Sequence, residues 1–113
     1  MKLDLHNKKF RPLVNDTNGE VSGETLFHYQ QLGNLVFAEY EGGSIVKGHI
    51  AGKIIDDLYL AFDYQHINTG GNIMTGKCRS YPETGENGKL LLKEYWQWTC
   101  GDHSKGESII IEI

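Results

Sequence analysis

Short apolar runs alternate with Gly, Asn and Asp turns along the chain, and within the runs hydrophobic and polar positions trade places with a period of two. This pattern predicts eight strands: Lys9–Asn15, Glu20–Gln30, Leu35–Glu41, Ser44–Ile54, Leu58–Ile67, Ile73–Tyr81, Lys89–Thr99 and Glu107–Ile113. The connections are Asp16–Gly19, Gly42-Gly43, Ile55–Asp57, Thr69–Asn72, the longer Pro82–Gly88, and Gly101–Gly106. No 3.6-residue period is sustained, although Ser22–Leu32 could be misread as a helix opening.

Strand side chains alternate between faces, so folding each hairpin about its turn tests whether the apolar positions coincide. Folding about Gly70 sets Tyr64 opposite Gly76 and Phe62 opposite Cys78. The turn at Gly85 sets Cys78 opposite Leu92, Gly76 opposite Glu94 and Met74 opposite Trp96. The final turn puts Trp96 opposite Ile109 and Glu94 opposite Ile111. Backwards from Asp56, Phe62 faces Ile50, Leu60 faces Gly52 and Tyr64 faces Gly48; one hairpin earlier, Ala38 meets Gly48 and Val36 meets Ile50.

One dry face results: Val36, Ala38, Tyr40, Val46, Ile50, Ile54, Leu60, Phe62, Met74, Leu92, Trp96, Ile109 and Ile111. Lys47, His49, Lys53, Asp63, Gln65, Lys77, Arg79, Lys93 and Gln97 fall on the wet one. For Thr25–Gln30 two facings stay open, Phe27 with Tyr29 or Leu26 with His28. Eight strands without a covering helix bury their dry face and lose their edges by closing, so the expected fold is an all-β, eight-stranded antiparallel up-and-down meander closed into a small barrel. Such a barrel is either filled by its own side chains or retains one small-ligand cavity, and Gly48, Gly52 and Gly76 on the inner parity leave room for the second.

The 113 residues suit one barrel domain over the whole chain, with residues 1–8 as an N-terminal tail or partial cover. A formal charge of −4 and the lack of any Lys/Arg-rich run argue against nucleic acid as a partner. No segment approaches the roughly 20 apolar residues that span a bilayer, and the N-terminus lacks a signal-peptide core, which sets the expectation at a cytoplasmic protein with no membrane partner. Cys78 and Cys100 are the two cysteines; without CxxC spacing they read as inert thiols, and a disulfide between them stays open.

Glu94 is the anomaly. It lies in LLLKEYWQW on the parity of Leu92, Trp96 and Trp98, and a buried carboxylate is costly without charge pairing or hydrogen bonds. Tyr64 is a candidate donor to it, with Tyr40 and His66 nearer a barrel rim. The candidate ligand-binding set is therefore Tyr64, Glu94, Trp96, His66 and Tyr40, an aromatic lining with one polar anchor. A satisfied structural carboxylate or a wet barrel end would explain the same letters. No catalytic or metal set is legible: the histidines are scattered, Asp102-His103-Ser104 are neighbours in a polar loop rather than a spatial triad, and neither phosphate-binding glycine motif is present. No cofactor is expected.

HNKKFR at His6–Arg11, NGEVSGETLFHYQQ at Asn18–Gln31, EYEGGSIVKGHIAG at Glu39–Gly52, TGKC at Thr75–Cys78 and EYWQWTCGDHSKGES at Glu94–Ser108 together resemble a family of small bacterial proteins labelled N-acetylglutamate synthases. The label implies acyl transfer, yet the Arg/Gln-x-x-Gly-x-Gly/Ala loop of acetyl-coenzyme A enzymes has no counterpart, and no residue carries over. In general shape the chain is similar to calycin-like barrels, including lipocalins and streptavidin-like biotin-binding barrels, whose ligand residues likewise find no matching positions. The leading functional expectation is a small non-enzymatic ligand-binding or interaction barrel with a small molecule inside. A small acyltransferase and a purely structural interaction domain are the alternatives, and a homodimer stays open.

Overall fold

The computed structural model describes residues 3–16, 19–85 and 87–113. Its strands are β1 (Lys9–Asn15), β2 (Leu26–Leu32), β3 (Leu35–Gly42), β4 (Ile45–Ile55), β5 (Tyr59–Asn68), β6 (Ile73–Thr84), β7 (Leu90–Trp98) and β8 (Lys105–Glu112). Each pairs antiparallel with its neighbour in sequence, and β8 returns to β1 to close the barrel. The closed antiparallel meander expected from the periodicity is the observed fold. Thr17 and Asn18 of the expected first turn, Glu86 of the Pro82–Gly88 loop, and Met1 and Lys2 of the tail lie outside the described residues. Among the described residues no helix is long and apolar enough to cross a membrane.

The β5–β6 register is the one expected, with Tyr64 opposite Gly76 and Phe62 opposite Cys78. Elsewhere the pairings slip by even numbers of residues: Ala38 meets Ile50, Phe62 meets Gly52 and Cys78 meets Trp96. An even slip keeps every side chain on its face. Thr25, Phe27 and Tyr29 are buried, which resolves the facing of β2.

Two odd shifts correct the expected lining. At the start of β4 the register breaks between Ile45 and Lys47, and the bulge turns Ile45 inward, 2% exposed, and Val46 outward, 55% exposed. In the last hairpin Trp96 pairs with Gly106, Glu94 with Ser108 and Leu92 with Ile110, so Ser108 and Ile110 face in rather than Ile109 and Ile111. The turn there is tighter than expected, because Gly101 and His103 take left-handed backbone (φ 60° and 58°) and β8 begins at Lys105. β2 also begins later than expected, since Glu20–Thr25 forms no strand.

Up-and-down connectivity gives the barrel two chemically different ends. One is apolar: Phe10, Val36, Ile54, Leu60, Leu92 and Ile110 are buried there. The N-terminal segment seals this end with buried Leu3 and Leu5, the Leu5 amide donating to Gln31 Oε1 at 2.7 Å and Gln31 Nε2 donating to the Leu3 carbonyl at 3.1 Å. The other end carries Tyr40, Tyr64, His66 and Trp98 beneath the β1–β2 connection.

Gly52 shows how little spare volume the wall has. A Cβ added there would collide with the Ala61 carbonyl and the Phe62 backbone, which cannot rotate away. Gly52→Ala is expected to destabilise by about 2 kcal/mol, read as a lowered urea midpoint at unchanged slope. Gly23→Ala, whose added methyl meets nothing within 4 Å, should leave the midpoint in place.

Candidate functional site

Three aromatic side chains at the polar end lie across glycines of neighbouring strands. Tyr40 pairs with Gly48, Tyr64 with Gly76 and Trp96 with Gly106. At each glycine a Cβ would strike the ring of its partner, so the missing side chain is the space the ring occupies. Rings packed this way sit low against the wall. They leave a cavity of about 50 Å³ at this end, room for a few water molecules.

All five residues proposed from the sequence, Tyr40, Tyr64, His66, Glu94 and Trp96, line that cavity. Strand alternation accounts for the placement: Tyr64 and His66 are two apart on β5, as are Glu94, Trp96 and then Trp98 on β7. The indoles of Trp96 and Trp98 meet edge to face at 5.6 Å, and Trp98 meets Tyr64 at 5.8 Å. A larger concavity of about 940 Å³ lies on the outer wall, lined by outward-facing residues such as Lys53, Asp63, Lys77 and Arg79. It is open to solvent and its lining carries no buried carboxylate, which makes the inner cavity the candidate site.

The hydrogen bonding differs from the sequence expectation. Tyr40 and His66 are not donors to Glu94; they belong to a chain that ends on Glu20. Tyr40 Oη lies 2.8 Å from His66 Nδ1, and His66 Nε2 lies 2.7 Å from Glu20 Oε1. A carboxylate only accepts, so Nε2 carries the proton that bonds Glu20. Asn68 Nδ2 donates to Glu20 Oε2 at 3.1 Å. Ser44 Oγ donates to the Glu20 carbonyl at 2.9 Å, and Asn15 Nδ2 donates to the Val21 carbonyl at 2.6 Å. Glu20 and Val21 are thereby fixed over the cavity, which they help to line.

Sequence reasoning missed Glu20, which it placed at the head of β2. No local signal marks a contact 46 positions away. Trp98, in contrast, was legible from its parity with Trp96.

Glu94 is 7% exposed, and among the described residues its one hydrogen bond comes from Ser108 Oγ, at 3.4 Å to Oε1. Ser80 stands opposite it on β6, near the carboxylate but outside hydrogen-bonding geometry. Glu94 Oε2, Ser80 Oγ and Tyr29 Oη are all buried without a hydrogen-bond partner among the described residues. Burial pushes the Glu94 carboxyl up to about 7, against the opposing pull of the Ser80 and Ser108 hydroxyls. Burial likewise raises the tyrosine hydroxyls around it, Tyr29, Tyr40 and Tyr64, keeping them protonated.

Cys78 lines the same cavity as a free thiol, pushed up by burial, and Cys100 is also free. Among the described residues no group of three or more His, Cys, Asp or Glu side chains is arranged to hold a metal ion.

A family model described as "Avidin-like protein" matches residues 3–113 of the chain. No match was found among curated proteins or among solved structures.

The environment of Glu94 fixes a sign for the pH dependence of stability. The native carboxyl holds its proton to about 7, against an ordinary value of 4.5. Between these values the native state binds more protons than the unfolded chain, so stability is greatest below the lower value and declines as pH rises through the upper one. The loss contributed by this group is about 3 kcal/mol. Glu94→Gln should abolish that component, leaving the variant more stable than the parent at pH 8 and near parity at pH 4.5, as urea unfolding at the two pH values would show.

Proposed function

The chain belongs to the avidin-like family, and on that premise we propose that it binds a small molecule in the cavity lined by Tyr40, Tyr64, His66, Glu94 and Trp96. The observation that carries this reading is Glu94, a buried carboxyl group in the cavity's lining whose Oε2 has no hydrogen-bond partner among the described residues. Leaving such an acceptor unpaired costs roughly 1–3 kcal/mol or more for a charged group. A ligand group that donates to it would recover that energy.

The cavity also limits the ligand. Pockets for drug-sized molecules occupy roughly 300–1,000 Å³, whereas this one has about 50 Å³. The occupant is therefore very small, or it enters with displacement of Glu20 and Val21 from the mouth. Aromatic walls supply the contact area and the few polar groups supply orientation. Acyl transfer, which the sequence resemblance implied, lies outside this reading, as does any cofactor.

A screen of very small molecules against isotope-labelled protein tests the proposal. Binders are expected to shift the indole N–H signals of Trp96 and Trp98 together, and Trp96→Phe should weaken them about tenfold, or ~1.4 kcal/mol. Shifts confined to the outer wall around Lys77 and Arg79, or no saturable binder at all, would count against it.

A further inference from the structure

The cavity has a charge character as well as a shape. Among the described residues its lining contains two carboxylates, Glu20 and Glu94, and neither Lys nor Arg. Glu20 is answered by His66 and Asn68, but Glu94 is only weakly answered: among the described residues one oxygen has a 3.4 Å bond from Ser108, and the other has only the Ser80 hydroxyl near the carboxyl, outside hydrogen-bonding geometry. The same cavity is walled by electron-rich rings, with Tyr40, Tyr64, Trp96 and Trp98 all in its lining. Such rings attract cations within about 6 Å of their centres. An acceptor without a donor, a negative lining without a fixed cation, and π systems on several sides are three separate observations, and they favour the same chemistry.

Resting on the reading that this cavity takes a ligand, we infer that the ligand is a small organic cation of the alkylammonium or methylated-ammonium class, with Glu94 as its counter-ion and the Tyr64, Trp96 and Trp98 rings as its apolar cage. An anionic group would meet Glu94 as a like charge in a site with no compensating Lys or Arg. A neutral alkyl group would fill the rings but leave Oε2 unpaired. An ammonium N–H satisfies it directly, and a quaternary ammonium satisfies its charge without a hydrogen bond.

Protonation of Glu94 competes with such a ligand. The other titratable groups around the carboxylate are Tyr29, Tyr40, Tyr64 and Cys78, all held neutral by burial, with His66 and Glu20 at the mouth. Cation affinity should therefore follow the Glu94 carboxylate and rise with pH through about 7.

The test is a set of titrations followed by the Trp96 and Trp98 indole signals, using methylammonium, tetramethylammonium, tert-butanol as a neutral compact analogue and pivalate as an anionic one. Tetramethylammonium is expected to bind at least tenfold more tightly than tert-butanol, with pivalate weaker than both. Glu94→Gln should cost the cations at least tenfold more than it costs tert-butanol. On wild-type protein, cation affinity at pH 8 should exceed that at pH 6 by about tenfold, the change in the ionised fraction of a carboxyl titrating near 7; this arm does not depend on how the variant folds. Equal binding of tert-butanol and tetramethylammonium, or a flat pH profile, would overturn the cation assignment while leaving a small-molecule site in place. If neither ammonium saturates, the inference fails as well. The neutral arm and the broader screen then decide whether the barrel binds anything.

Discussion

Closure of the sheet gives the interior a fixed and small volume, and every other feature of this barrel is a response to it. Alternate residues of eight strands must share that space. Where a large ring goes in, a side chain opposite must be missing, and Tyr40 over Gly48, Tyr64 over Gly76 and Trp96 over Gly106 show the rule three times. At the apolar end the same problem is solved by aliphatic residues around the Phe10 ring, which meets Tyr29 edge to face at 5.2 Å, and by Leu3 and Leu5 drawn in from the N-terminal segment. The cavity is found at the other end, among Tyr40, Tyr64, Trp96 and Trp98.

The volume constraint also explains what the sequence could reveal. A period of two records face, not register, so even slips in three hairpins changed the partners of Ala38, Phe62 and Cys78 without moving one side chain off its face. The lining was readable wherever the chain kept strict alternation. It failed at Ile45, where a bulge inserts one residue, and in β8, where a left-handed turn shortens the connection. Both failures occur where parity depends on a turn, and in β8 three consecutive isoleucines give an apolar side chain on either phase. Ser108 was hidden for a related reason: a small polar residue is informative only once Glu94 is known to lie across from it.

Glu20 was beyond reach on different grounds. Its position comes from Ser44, His66 and Asn68, which are distant in sequence and have no repeating pattern with it. Strand periodicity says nothing about a segment that crosses a barrel mouth outside the sheet. The candidate site was therefore legible on its walls and illegible at its entrance. Tyr40 and His66 belong to both, since the wall residues Tyr40 and His66 form the chain of hydrogen bonds that holds Glu20 in place.

The two carboxylates of the cavity differ in how far the fold accounts for them. Glu20, partly exposed, has His66 and Asn68 as donors and tethers the covering segment; its hydrogen bonds account for its presence. Glu94 is more deeply buried and has fewer partners, so the same accounting fails for it. Packing does not explain it either, because an apolar residue of similar size would fill the position without the desolvation that drives its carboxyl up to about 7. Unsatisfied polar atoms of Tyr29 and Ser80 are buried as well, so the interior carries hydrogen-bonding capacity that the fold itself leaves unused. A barrel selected for stability alone has no physical reason to keep a carboxylate beside a gap among aromatic rings. A barrel that holds something in that gap does.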